Sequence, residues 1–157
     1  MKFVRLFVIA LAALIAVPVL AQDKPASNME ILRQKIKADK KLIVAANMDL
    51  TEAEAKGFWP VYDAYQADLD QINLRLGRLI NRYAEVYQSS ALTDAAAQSM
   101  MEEALQIEQA EVSLKQAYMP KLSAVLPATK VARYLQIESK IRAAIKYDLA
   151  DNIPLVQ

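Results

Sequence analysis

The chain has 157 residues, with 19 Lys and Arg against 18 Asp and Glu and a formal net charge of +1, which gives no global attraction to nucleic acid or anionic lipid. It contains neither His nor Cys. That excludes disulfides, a histidine-based catalytic triad and the usual ligand sets for zinc, copper or nickel, and it leaves no cysteine to carry a lipid anchor.

The N-terminus reads as an export signal. Lys2 and Arg5 precede an apolar run from Leu6 to Ile15, Pro18 breaks the run, and Val19-Leu20-Ala21 offers a cleavage site after Ala21. The alternative is a membrane anchor. The apolar stretch from Leu6 to Ala21 is 16 residues and contains Pro18, short of the ~20 that a spanning helix needs. Loss of Lys2 and Arg5 takes the formal charge from +1 to −1. Residues 22–157 are expected to form a single all-α domain in the periplasm, with no stable membrane insertion after cleavage.

A first helix is predicted from Ser27, which has capping-box spacing to Glu30, to about Ala46. Arg33, Lys35, Lys37, Lys40 and Lys41 make it basic, and Asn47-Met48-Asp49 ends it.

Thr51 caps a second helix, with Glu54 at the reciprocal position. Phe58, Tyr62, Tyr65, Leu69, Ile72, Leu76, Leu79, Tyr83 and Val86 then recur at steps of four and three, which predicts a long seam of helix packing. Pro60 predicts a kink or a late helix start. The helix is expected to end near Gln88-Ser89-Ser90.

Thr93 caps a third helix. Its apolar face is read as Ala97, Met100, Met101, Ala104, Ile107, Leu114 and Ala117, and Pro120 is expected to bend or end it. A fourth helix starts after Leu126, with Pro127 tolerated at the first position. Val131, Tyr134, Leu135, Ile141, Ala144, Ile145 and Leu149 give its apolar side. The tail Ile153-Pro154-Leu155-Val156 is expected to dock on the helices. No stretch alternates like a strand, so the fold class is all-α, a long bent helical hairpin with about four helices.

Candidate functional residues are surface residues. Arg75, Arg78 and Arg82 form one strip on the second helix, either a flank paired with acids of the third helix or a basic rim beside an apolar groove. Met100 and Met101 either fill the core or line an adaptable binding surface. Trp59 lies off the seam and either packs on the first helix or the tail, or joins a contact surface. Glu138 and Arg142 stand at favourable i,i+4 spacing, and Glu138 also borders the apolar side, where a basic residue of another helix could meet it. Glu102, Glu103, Glu108 and Glu111 read as a solvated face rather than a cation site. No catalytic constellation, metal site or cofactor motif is expected.

The phrases Leu50-Thr51-x-x-Glu54 and Leu92-Thr93-x-x-Ala96, with a looser copy at Leu126-Pro127-Ala128-Thr129-Lys130, resemble the Leu-Thr-x-x-Gln repeats of the Spy/CpxP family of small periplasmic helical proteins. Glu54 and Ala96 stand where that pattern has Gln. The chain also looks like less characterised periplasmic helical proteins, through Phe58-Trp59-Pro60-x-Tyr62 and the ending from Leu126-Pro127 through Tyr134-x-Gln136-x-Glu138 to Ile153-Pro154-Leu155-Val156. The resemblance implies a bent hairpin, commonly a homodimer. It also implies either ATP-independent binding of unfolded proteins or restraint of a membrane sensor or sigma/anti-sigma system, here without metal sensing.

Overall fold

The computed structural model describes residues 39–156. The chain divides into the units Met1–Lys37 and Ala38–Gln157, and all the described residues belong to the second. The signal sequence, the cleavage point and the Ser27 cap lie outside the described residues.

The described residues form an all-α bundle of four helices without a strand: α1 (helical over residues 39–48), α2 (Glu52–Gln88), α3 (Asp94–Ser123) and α4 (Ala128–Asn152). None of these helices is long and apolar enough to cross a membrane. α1 runs two residues beyond Ala46 because Met48 is fully buried in the core. It stops at Asp49, whose φ of 47° is a left-handed conformation that Asp tolerates.

Both capping readings hold. The Thr51 hydroxyl accepts from the Glu54 N–H at 3.3 Å, and the Glu54 carboxylate accepts from the Thr51 N–H at 2.8 Å. Thr93 Oγ1 accepts from the Ala96 N–H at 3.2 Å. Each cap satisfies helix-end donors that would otherwise lack partners.

The two internal prolines do not stop their helices. α2 starts at Glu52 and runs through Pro60, so no late start occurs, and α3 runs through Pro120 to Ser123. Pro60 and Pro120 are exposed, as are Lys56 and Gln116 four residues before them. The carbonyl that each proline leaves unbonded therefore sits on a wet face, where solvent can serve it. Pro127 is the N-cap of α4 rather than its first helical residue.

α2 and α3 make the most extensive helix pair, α4 approaches α3, and α4 has no close backbone approach to α2. The gap between α2 and α4 is filled by rings. Phe58 and Tyr62 of α2 meet Tyr134 of α4 at centroid distances of 5.1 and 6.0 Å, and Tyr65 touches both Tyr134 (6.0 Å) and Tyr118 of α3 (5.3 Å). Val44, Met48, Leu69, Leu122, Leu126 and Val131 complete this core. Where α2 meets the α3–α4 connection, no side chain fits: a Cβ on Gly57 would lie 3.0 Å from Val125 Cβ.

The seam read along α2 splits in two. Phe58, Tyr62, Tyr65 and Leu69 are buried, whereas Ile72, Leu76, Leu79, Tyr83 and Val86 are only half-buried. On α3 the buried residues are Met100, Ile107, Glu111, Tyr118 and Leu122. Met101 and Ala117, read as part of the apolar face, are exposed, because Met100 and Tyr118 take the inward positions beside them. On α4, Val131 and Tyr134 are buried, while Ala144 and Ile145 are exposed. The tail docks through one hydrogen bond, Tyr83 Oη to the Pro154 carbonyl at 2.9 Å, and Leu155 and Val156 remain exposed.

Phe58→Ala is expected to cost about 3–5 kcal/mol, and Leu76→Ala less than about 2 kcal/mol because its site is half open. Urea denaturation of the two variants measures the difference.

Candidate binding surface

Polar pairs between helices supplement the apolar core. Glu138 is 3% exposed. One of its oxygens pairs with Lys40 Nζ at 2.7 Å, and the other accepts from Gln66 Nε2 at 2.8 Å. Gln66 Oε1 accepts from Lys40 at 2.8 Å, and Gln66 Nε2 also reaches Tyr134 Oη at 3.3 Å. An amide suits this place because it accepts from the cation and donates to the anion at once. α1, α2 and α4 are thereby joined in one knot.

One turn along α4, Arg142 makes a second knot. It ion-pairs with the buried Glu111 of α3 and donates through Nη1 to Asn73 Oδ1 of α2 at 2.6 Å. Its Nε has no hydrogen-bond partner among the described residues, and burial pushes its guanidinium down from the ordinary value. Lys146 adds a looser contact to Glu111 at 3.5 Å. The i,i+4 pair of Glu138 with Arg142 does not form, since each is taken by a different helix. The reading of Glu138 beside a basic residue of another helix holds, with Lys40 as that residue. Glu111 is a correction: it is buried and paired, not part of a solvated face. Glu102 accepts from Gln98 at 3.0 Å and Glu103 is held by Arg75. Among the described residues no group of three or more acidic, His or Cys side chains is arranged to hold a metal ion.

The arginine strip is uneven. Arg75 is paired with Glu103 through two contacts, Nε and Nη2, and donates to Gln106 at 2.6 Å. Arg78 and Arg82 are exposed, and with Arg75 they hold the Glu103 carboxyl below its usual range, the Arg75 hydrogen bond being the largest cause. Trp59 is half-buried against the core, with Lys41 of α1 over its ring at 5.1 Å, so it packs on the first helix. Met100 is buried and is withdrawn as a surface residue, while Met101 is 62% exposed. Helical phase could not decide between two adjacent methionines; packing does. Of the six surface candidates, Arg78, Arg82 and Met101 are open, Arg75 and Trp59 are partly engaged, and Met100 is inside. The half-buried stretch of α2 between Ile72 and Val86 lies beside Arg78 and Arg82.

The phenols of the aromatic core are all held toward the protonated form. Burial, followed by the charge of Glu138, pushes the Tyr134 and Tyr62 phenols well above the ordinary value and Tyr65 up to about 12. Tyr118 is raised to about 12, first by its hydrogen bond to Asp68 Oδ2 at 2.6 Å. The folded state therefore favours the protonated phenols. That stabilisation is full below the unfolded value of about 10 and is lost as pH rises from there through the folded values.

Compared with protein-family models, curated proteins and solved structures, the chain matches none of them.

The denaturation midpoint is expected to fall as pH is raised above about 10, and Tyr118→Phe should flatten part of that fall. Glu138→Ala, which leaves Lys40 buried without its anion, should cost about 3–5 kcal/mol, and Lys40→Met, Gln66→Leu and Glu138→Leu together, which remove the whole polar set, should recover most of the loss. Urea denaturation at neutral pH reads both.

Proposed function

We propose that this chain is an exported, non-enzymatic protein of the bacterial envelope that binds partly unfolded proteins without ATP. On this reading it works in the periplasm after losing residues 1–21, as a distant relative of the Spy/CpxP family with a bent hairpin of α2 and α3. The observation that carries the reading is the α2 seam from Ile72 to Val86, apolar yet only half covered, with Arg78 and Arg82 exposed on its flank. A fully buried seam would be structural and nothing more. A half-covered one offers apolar area to segments that have lost their own core, and the flanking cations steer chains of opposite charge. Loose and non-directional contact suits a binder of many sequences better than a deep pocket would.

The test is light scattering from a chemically denatured client diluted into near-stoichiometric protein, without nucleotide. Suppression of aggregation is expected for several unrelated clients. Arg78→Glu with Arg82→Glu should weaken it most at low salt, leaving the thermal midpoint nearly unchanged. No suppression with any client would sink the proposal. Recovery of one stable membrane sensor from envelope extracts, in place of a mixed client set, would favour a regulatory module instead.

A further inference from the structure

Past the end of α4, Leu155 and Val156 stand 88% and 62% exposed. Two hydrogen bonds fix where they begin. The Ile153 N–H bonds back to the Leu149 carbonyl at 3.0 Å, and the Ile153 backbone then turns extended, with φ −95° and ψ 116°. One residue on, the Pro154 carbonyl accepts from Tyr83 Oη of α2 at 2.9 Å. Tyr83 belongs to the half-covered α2 seam and stands against Tyr87, with ring centroids 5.8 Å apart and planes tilted by 44°. Both rings are half-buried. Two apolar side chains are therefore anchored at the rim of a partly open aromatic pair. Beyond the anchor the backbone is unengaged: Pro154 has no N–H, and those of Leu155 and Val156 make no hydrogen bond among the described residues.

We propose that residues 153–156 are a strap that closes over an extended apolar segment of a bound chain, laid on Tyr83 and Tyr87. The inference rests on the reading of the α2 seam as a site for partly unfolded proteins, and it names the kind of segment taken at this end. The reach fits, since two extended residues beyond Pro154 span about 7 Å and one helical turn rises about 5.4 Å. Leu155 and Val156 can thus cover the turn of α2 next to Tyr83 while the Pro154 anchor stays made.

The chemistry selects the occupant. A segment between rings and strap meets apolar groups on two sides and the free backbone N–H groups of the strap. An extended segment can pair with those groups, whereas a helix has already satisfied its own. Backbone pairing reads no side chain, so many sequences qualify. Arg82 and Glu85, the exposed charges of this turn, have opposite signs and favour neither sign in the segment. A tail that served only to cover the seam would turn its apolar side chains onto it, and Leu155 points to solvent instead.

Fluorescence anisotropy with labelled, reduced and carboxymethylated lactalbumin, a chain kept unfolded by its blocked thiols, tests the proposal. The parent chain is expected to bind it. Leu155→Ser with Val156→Ser should weaken binding roughly tenfold. Tyr83→Phe keeps the ring and removes the anchor, and it should weaken binding less but in the same direction. Thermal midpoints of both variants should stay near that of the parent, since all three positions lie outside the aromatic core. Hydrogen exchange at the Leu155 and Val156 amides should slow when the unfolded chain is bound. Equal binding by the serine variant overturns the strap and leaves the seam reading standing. Tighter binding by that variant also overturns it, and makes the tail a competitor of the client. A parent chain that does not bind removes the seam reading and the strap with it.

Discussion

Two opposite charges one turn apart on α4 fix how the helices of this protein sit together. Glu138 looks toward α1 and Arg142 toward α3, and each also meets an amide of α2: Gln66 bridges Lys40 and Glu138, and Asn73 accepts from Arg142. Neither charge is cheap to bury. Their desolvation is offset only if every helix arrives at the right height and rotation, because a slip of one residue would strand a carboxylate or a guanidinium inside. Apolar packing tolerates small slips and this pair of knots does not. The knots thus specify register where the bundle is too lean in apolar residues to specify it by shape.

The rings make that arrangement possible. α2 and α4 never come close along their backbones, so the space between them admits Phe58, Tyr62, Tyr65 and Tyr134, together with the polar ends of the long side chains that reach past them. Edge-to-face contacts between these rings add to their area burial. The same aromatic wall supplies the low dielectric in which the Lys40–Gln66–Glu138 bonds are strong. Core and knot are two aspects of one wide inter-helix space. A smaller set of core residues would draw α2 and α4 together and leave Gln66 no room.

How much of this was legible in the sequence depends on the range of each interaction. Thr51, Glu54 and Thr93 act within three residues of themselves, and their roles were readable without any tertiary knowledge. The Phe58–Leu69 part of the seam was readable because one helix face recurs locally. The prolines offered alternatives that a local pattern cannot separate; neither stops its helix, because each sits on a wet face. On α3 the phase was set by the Met100–Met101 pair and Ala117. The spacing of Ile107, Glu111, Leu114, Tyr118 and Leu122 carried the true inward face, with an acid in its midst that polarity alone assigns to solvent. Gln66 and Asn73 had no signal, because a half-buried amide is recognised only by the partners that other helices bring to it, α1 and α4 for Gln66 and α4 for Asn73. Of the surface candidates, sequence found the arginine strip and gave pairing with acids of the third helix as one of two readings; Arg75 meets it through Glu103, whereas Arg78 and Arg82 stay exposed.

The uneven burial along α2 means that this protein does not have one stability but a gradient of it. Backbone bonds around Phe58 to Leu69 lie over the aromatic core, where hydrogen exchange is expected to require global unfolding. Those from Ile72 onward lie over a half-covered seam and need only a sub-global opening. At the end formed by the α2–α3 turn and the tail, the exposed Tyr83 phenol donates to the Pro154 carbonyl at 2.9 Å. The α2 segment that offers the most uncovered apolar area is therefore also the one that breathes, while the region that fixes the helices' register stays shut.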